Sequence, residues 1–451
     1  MKLKITVFAL VLVLVTSVQA CVKPTIMTST SQPPLANTPV NSPRELFIAS
    51  TSAFIDAFGV YHIVGQVDNN GSTVLNSIQL TVEIKDAAGN SLLKDENGNS
   101  MPGENIYSLL YTLAPGVSSP FDYTYDTTKG TPASFNVKIT SQATGETNRA
   151  TLIEENIQVV DDGSGWFYLT GKLINSGSQW AHINGLAGAV LDDSNSVLSA
   201  SRTDTYTTEL APAGDALGRD RTPFEIKFPN PGGSTQWALY WDAVATDNVT
   251  DYPMEVKITN YYFDRDGSAH LVGWITNNSD QLLDSLVIGG LYTADGTVLD
   301  SSYAFVPVPV KPAAETPFSI SSFGIVENKF DQASLVSTYT AQLDPWRTAP
   351  PAYEFIDLSA SGETVLKDGV TWTVSGSVIN SSDKNLSGAT VVVMVKDTQN
   401  KLVAMEYTSI NPAGDVIAPN ETNTYSVTVH LDPAADPTLF TATTLVVGAV
   451  K

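Results

Sequence analysis

The sequence predicts an all-β protein of four tandem sandwiches, on three observations. The pattern Gly-x-Val/Leu/Ile-x-Asn occurs four times: GQVDN from Gly65 to Asn69, GKLIN from Gly171 to Asn175, GWITN from Gly273 to Asn277 and GSVIN from Gly376 to Asn380. The glycines lie 106, 102 and 103 positions apart, a period that marks an internal repeat. Around each glycine the apolar side chains alternate: Tyr61, Ile63, Val67; Phe167, Leu169, Leu173; Ala269, Leu271, Ile275; Trp372, Val374, Val378. Period two is the signature of a half-buried strand. Beyond residue 20 helical periodicity is absent, and short Val/Thr/Ile/Tyr-rich runs alternate with Gly/Asn/Asp/Pro turns, the pattern of an all-β chain. Units near 100 residues have the size of an immunoglobulin-like sandwich. The spacing places them at 46–150, 151–251, 252–350 and 351–451.

The chain opens MKLKITVFALVLVLVTSVQAC. Lys2 and Lys4 precede an apolar run from Ile5 to Val18, too short to cross a membrane and suited to an export signal. The expectation is a lipoprotein signal peptide over 1–20, cut after Ala20, with lipid on Cys21. Cys21 is the one cysteine of the chain, so no intramolecular disulfide forms and the sandwiches hold by core burial. Residues 21–45 are rich in Pro, Ser and Thr and read as a disordered tether. The 24 residues after the cysteine span about 75 Å at ~3.1 Å each if extended as polyproline II.

Within each repeat the elements follow in order. The glycine sits on the inward face of its strand, where its missing side chain makes room for a bulky residue expected from the opposite sheet. The asparagine closing the strand suits a turn. Twenty-one residues after the glycine an aspartate opens a second turn: Asp86, Asp192 and Asp397, with Asp295 one place later in the third repeat. A proline and an aromatic strand follow, at Phe121, Phe224, Phe318 and, after Pro419, Tyr425. A last strand is expected near Phe135, Trp237, Leu335 and Phe440.

The formal net charge is −23, and loss of Lys2 and Lys4 with the signal takes it to −25. No Lys/Arg cluster is present, which disfavours nucleic acid as a partner. His62 and His270 occupy one recurring slot on the outward strand face, filled by Tyr168 and Thr373 elsewhere. With His182 and His430 standing alone, they form no catalytic spacing. The Asp/Asn/Gly clusters at 95–104 and 264–268 depart from the EF-hand pattern and read as turns, so neither a metal nor a cofactor is expected. Six Asn-x-Ser/Thr sequons occur, at Asn70, Asn248, Asn277, Asn380, Asn385 and Asn420. Among the tryptophans, Trp237 and Trp241 read as core and Trp180 as half-buried. Trp274 points away from the core of its own sandwich and is the candidate binding residue, by stacking on a sugar or a partner. The competing reading is cover by a neighbouring strand or repeat.

The Gly-x-Val-x-Asn strand, with the later apolar strands VEIKDAAGN, AGAVLDDSN, GGLYTADGT and VVMVKDTQN, resembles the FxLYD family of prokaryotic surface domains. The resemblance covers nearly all of 46–451. The namesake residues are mostly replaced, with Leu291 and Tyr292 matching the Leu-Tyr pair. It implies an immunoglobulin-like fold, a surface location and no catalysis. The resulting expectation is a non-enzymatic, membrane-anchored surface lipoprotein whose repeats act as a spacer or protein-interaction module. A carbohydrate- or cell-wall-binding protein and an accessory subunit of an exported enzyme are the alternatives. The expected partners are the membrane, through the lipid anchor, and a surface protein or glycan. The expected location is exported and lipid-anchored on the cell membrane or outer membrane, at the cell surface or in the periplasm; in a Gram-negative host the outer membrane is expected, because Val22 stands where an aspartate commonly marks inner-membrane retention.

Overall fold

A computed structural model describes residues 45–203, 206–232, 236–328, 334–411 and 416–451. The signal segment, Ala20, Cys21 and the tether up to residue 44 lie outside the described residues. The chain is all-β, with strands over 60% of its length and helix over 3%. One five-residue helix, Gly324–Asn328, departs from the all-strand expectation.

Each repeat begins with an opening strand: Leu46–Ile55, Leu152–Asp161, Met254–Phe263 and Phe355–Asp368. It pairs antiparallel with the glycine strand: Val60–Asn69, Trp166–Asn175, Ala269–Asn277 and Thr371–Ile379. The glycine strand pairs on its other edge with the aromatic strand: Ser118–Asp126, Arg221–Pro229, Ala314–Ile320 and Thr422–His430. A second sheet is built on Leu75–Lys85, Trp180–Leu191, Leu286–Tyr292 and Leu386–Lys396. Each of these strands pairs with the last strand of its repeat, which in the third runs from Thr338 to Leu343. In the fourth repeat the long opening strand pairs in both sheets and joins them into one of six strands. In the second repeat Leu169, Phe224 and Ile226 of the first sheet meet Ile183, Leu186 and Trp237 of the second, as facing sheets of a sandwich do.

The glycines face inward, but the residue that needs the space comes from the same sheet. Gly65 is in register with Phe121, Gly171 with Phe224, Gly273 with Phe318 and Gly376 with Tyr425. A Cβ on Gly273 would stand 2.7 Å from the Phe318 ring and 2.3 Å from the Lys257 carbonyl, and on Gly65 2.5 Å from Phe121 and 2.2 Å from the Ser50 carbonyl. The carbonyls approach because the opening strand bulges opposite the glycine, between Ile48 and Ser50 and between Ile258 and Asn260. A bulge bends its strand toward the partner, and the aromatic ring covers the bare glycine from the other side. The expected opposite-sheet neighbour is thus replaced by a cross-strand one.

The asparagines are buried, at 1% exposure or less. Asn277 donates to the carbonyls of Gln281 (2.7 Å) and Val310 (2.8 Å) and accepts from the Ser279 amide. Asn69, Asn175 and Asn380 repeat the arrangement with Thr73 and Leu113, Gln179 and Ala211, and Lys384 and Ile417. Asn277 and Asn380 are therefore sequons whose side-chain amides are consumed inside the fold. The turn aspartates accept from amides two and four residues on, as Asp192 does from Ser194 and Ser196. In the third repeat Thr293 takes this place, and its hydroxyl binds Asp295.

Consecutive repeats dock through one equivalent surface. The strand after the aspartate turn lies on the outward face of the preceding glycine strand. Val197–Thr203 packs beside Val64, Val298–Phe305 beside Tyr168 and Thr170, and Leu402–Ile410 beside Val272. A valine carbonyl in the first two residues of that strand accepts a side chain of the preceding repeat each time. Val197 accepts Ser52 (2.6 Å), Val298 accepts Thr170 (2.8 Å), and Val403 accepts Asn260 (2.9 Å). The apolar clusters follow: Val64 and Val67 with Ala187, Ala189 and Tyr240; Val160 and Tyr168 with Ile325; Tyr262, Val272 and Val308 with the fourth core. The matching face of the fourth repeat carries Thr373, Ser375 and Ser377, all partly exposed.

Candidate functional site

Trp274 points away from its own core, as alternation requires, and is half-buried against the core cluster of the fourth repeat, with Lys396 Nζ 5.2 Å from its ring centroid. Its indole is an element of the third junction. The equivalent Lys172 sits at the second junction, its Nζ 5.1 Å from the Tyr292 ring, and the equivalent Gln66 accepts the Tyr240 hydroxyl at the first. Trp237 is buried, and Trp241 and Trp180 are half-buried. The residue read from sequence as a binding platform thus shares its position with junction contacts.

The outward histidines are buried. His62 is 5% and His270 4% exposed, because each is covered by its own loops and its neighbours. His62 stacks on Phe54 (4.8 Å) and His270 on Tyr262 (4.9 Å). His62 lies between Asp122 (3.2 Å) and Asp56 (3.3 Å). Burial alone would lower its pKa, but the bonds and charges of these two carboxylates outweigh it and hold it above the ordinary value. His182 Nδ1 meets Glu209 at 2.8 Å, and that bond raises its pKa against burial, with Asp344 and Asp242 adding to the rise. Acidic groups therefore gather beside His182 as well as beside His62. Those beside His182 are sealed: Glu209 is 3% and Asp344 0% exposed, and Asp344 accepts the Thr208 hydroxyl at 2.6 Å.

A second acid pair, half-buried Glu225 and buried Asp300, spans the second junction. Asp300 is fully buried and accepts the amides of Ile325 (2.8 Å) and Val326 (2.9 Å). Burial pushes its pKa up to about 6. Glu225 is raised well above the carboxylate range, first by burial and then by the Asp300 charge. The contact between the two carboxyls adds to the rise of Glu225 and opposes that of Asp300.

Two concavities open at the same junction. One, of about 520 Å³, is lined by Lys172, Arg221, Pro223, Tyr292 and Thr340; the other, of about 280 Å³, by Arg219, Asp251, Met254 and Leu343. Leu217, Val256, Ala341 and Gln342 border both. The guanidinium groups are already paired, Arg219 with Asp215 and Asp251 and Arg221 with Asp220. The surface offers apolar area rimmed by paired guanidinium groups and by Lys172, whose ammonium lies over the Tyr292 ring. Beside it Trp346 is 62% exposed. Its loop is held by Asp344, which accepts the Trp346 amide (3.2 Å) and whose carbonyl accepts the Thr348 hydroxyl (2.8 Å). Its ring lies 4.8 Å from His182. Sequence reasoning missed it because nothing in its repeat spacing distinguishes it.

No family model matches the chain, and no curated protein matches it. Among solved structures it is similar in part to a red sea bream transglutaminase, at 12% identity and a TM-score of 0.16 over 45% of this chain and 30% of that one. A glycoside hydrolase family 2 β-glucuronidase aligns at 9% identity and a TM-score of 0.13 over 58% and 27%. The chain thus spans under a third of either protein's length.

Proposed function

We propose that the protein is a non-enzymatic surface lipoprotein, anchored through Cys21, whose FxLYD-like repeats form a stiff spacer presenting an interaction surface. The observation that carries this reading is the equivalent docking at all three junctions. An apolar cluster and a side chain-to-valine carbonyl bond recur at each. Repeats that contact only their neighbours behave as a one-dimensional array, and apolar junctions restrict the motion that polar inter-domain contacts permit. Cys21→Ser tests the anchor: the protein should move from the membrane to the soluble exported fraction. Retention on the membrane after salt and carbonate washes would overturn it.

One observation favours glycan binding as the second reading. Trp346 is held by a buried aspartate yet leaves most of its indole in water, as a stacking platform requires. Trp346→Ala should abolish retention on cell-wall polysaccharide and leave stability unchanged. Retention equal to wild type would remove this reading.

A further inference from the structure

We propose that Asp264, Asp266 and His430 form a site for one divalent transition cation, Zn²⁺ or Mn²⁺ in class, which ties the third repeat to the fourth. One donor atom from each residue lies within 4.8 Å of the other two. His430 Nδ1 and Asp266 Oδ2 are 3.9 Å apart, too far for a hydrogen bond. Two ligands on one ion, each bonded at about 2.0–2.2 Å, can stand at that separation. Donors up to 4.8 Å apart must draw together slightly to share one ion, and Asp266, with its side chain 71% exposed, has room to move.

The site is built from both sides of the junction. Asp264 closes the turn after the opening strand of the third repeat, its Oδ1 accepting the amides of Asp266 and Ser268 at 2.9 Å each. Gly267, at φ +88°, supplies the left-handed residue that turn needs. Asp264 Oδ2 meets His270 Nε2 at 3.1 Å. Bonds of this kind orient a metal-bound carboxylate from behind. His430 ends the aromatic strand of the fourth repeat, and its carbonyl accepts the Tyr262 hydroxyl at 2.9 Å. That bond fixes the strand end beside the turn. His270 Nδ1 is buried, has no hydrogen-bond partner, and stands 3.9 Å from Glu406 Oε1. A second imidazole–carboxylate contact thus crosses the junction at a distance too long for a hydrogen bond.

The donors grade from a buried anchor to an open rim, with side-chain exposures of 5% for Asp264, 31% for His430 and 71% for Asp266. An ion can therefore enter from solvent. Two carboxylates and one imidazole suit Zn²⁺ or Mn²⁺; Ca²⁺ takes six to eight oxygens. The net charge of −23 draws cations to the surface in general, and the imidazole selects among them.

Calorimetric titration of the metal-free mature chain carrying Cys21→Ser, with ZnCl₂, MnCl₂ and CaCl₂, tests the site. The expected result is one Zn²⁺ or Mn²⁺ per chain and a raised melting temperature. Asp266→Asn and His430→Asn, both at exposed or half-exposed positions, should each weaken binding at least tenfold, and His182→Ala should not. Absence of saturable binding, one-to-one binding retained in both variants, loss only in His182→Ala, or tighter Ca²⁺ than Zn²⁺ and Mn²⁺ would each overturn it. Failure of the site would leave the apolar junctions, and the spacer reading, standing.

Discussion

Replacing the repeat glycines by alanine should cost stability in an order set by what each new methyl meets. At Gly65 and Gly273 it meets a backbone carbonyl at 2.2 and 2.3 Å, and the cross-strand ring at 2.5 and 2.7 Å. A backbone atom cannot rotate aside, so the opening strand must shift. At Gly171 the first contact is the Ile157 side chain at 2.2 Å, with its Cα at 3.3 Å. At Gly376 all three near contacts are Tyr425 ring or hydroxyl atoms, at 2.8 to 3.1 Å, and the ring can tilt. Overpacking costs about 1–3 kcal/mol, so Gly65→Ala and Gly273→Ala belong near 3 kcal/mol or above and Gly376→Ala near 1 kcal/mol. Loss of unfolded-state freedom offsets about 0.4–1 kcal/mol of each. Denaturant melts of the chain from residue 45 on, with hydrogen exchange assigning the loss to Ala269–Asn277 or Thr371–Ile379, read the difference. Gly273→Ala within 0.5 kcal/mol of wild type, or Gly376→Ala costing more than Gly273→Ala, would refute the steric account.

Asn277→Ala strips two buried carbonyls of their donor and should destabilise the third repeat by about 3 kcal/mol, measured in the same melts; a loss under 1 kcal/mol would mean water replaces the amide. Trp274→Ala should cost about 2 kcal/mol, below the 3–5 kcal/mol of a fully buried Trp, and speed exchange in Leu402–Ile410. Unchanged exchange there would separate the indole from the junction. The Glu225–Asp300 pair makes stability fall with rising pH, since both folded pKa values are raised, Asp300 to about 6. Its contribution is fully present below the unfolded carboxyl pKa near 4 and is lost as pH passes 6 and beyond. Glu225→Gln keeps a donor to Asp300 without the charge, so its melting temperature should decline less than wild type between pH 4.5 and 8. Parallel curves would contradict the raised carboxyl pKa values as the source of the pH dependence.

The fold was legible because period and alternation are local properties. The Gly-x-Val-x-Asn strand and the Pro-aromatic strand occupy the element expected of them, and so does the aspartate turn except in the third repeat, where Thr293 opens it. The glycine's partner was not legible, since Phe318 lies 45 residues from Gly273 and register is set by pairing. The outward faces are only partly legible, for the same reason: of the two readings of Trp274, the structure bears out cover by the next repeat. His62, His270 and Trp274 do leave their own core, but the next repeat returns to cover that face. One signal was available: the outward slots before the glycine carry His62 and Val64, Tyr168 and Thr170, and His270 and Val272 in the first three repeats, but the smaller polar Thr373 and Ser375 in the fourth. The cluster at 264–268 reads as a turn until His430, 164 residues away, is brought beside it.

Distance distributions between repeats test the stiff-spacer claim most directly. Cys21 is the only cysteine, so Cys21→Ser gives a background free of thiols. Spin labels on cysteines placed at exposed Asn97, Asp193, Gln281 and Gln399, paired across each junction in turn, report the three junctions by pulsed electron resonance. Interlocked junctions predict a narrow distribution for each pair, as narrow as for two labels within one repeat. Broad distributions, as flexibly linked domains produce, would contradict the account.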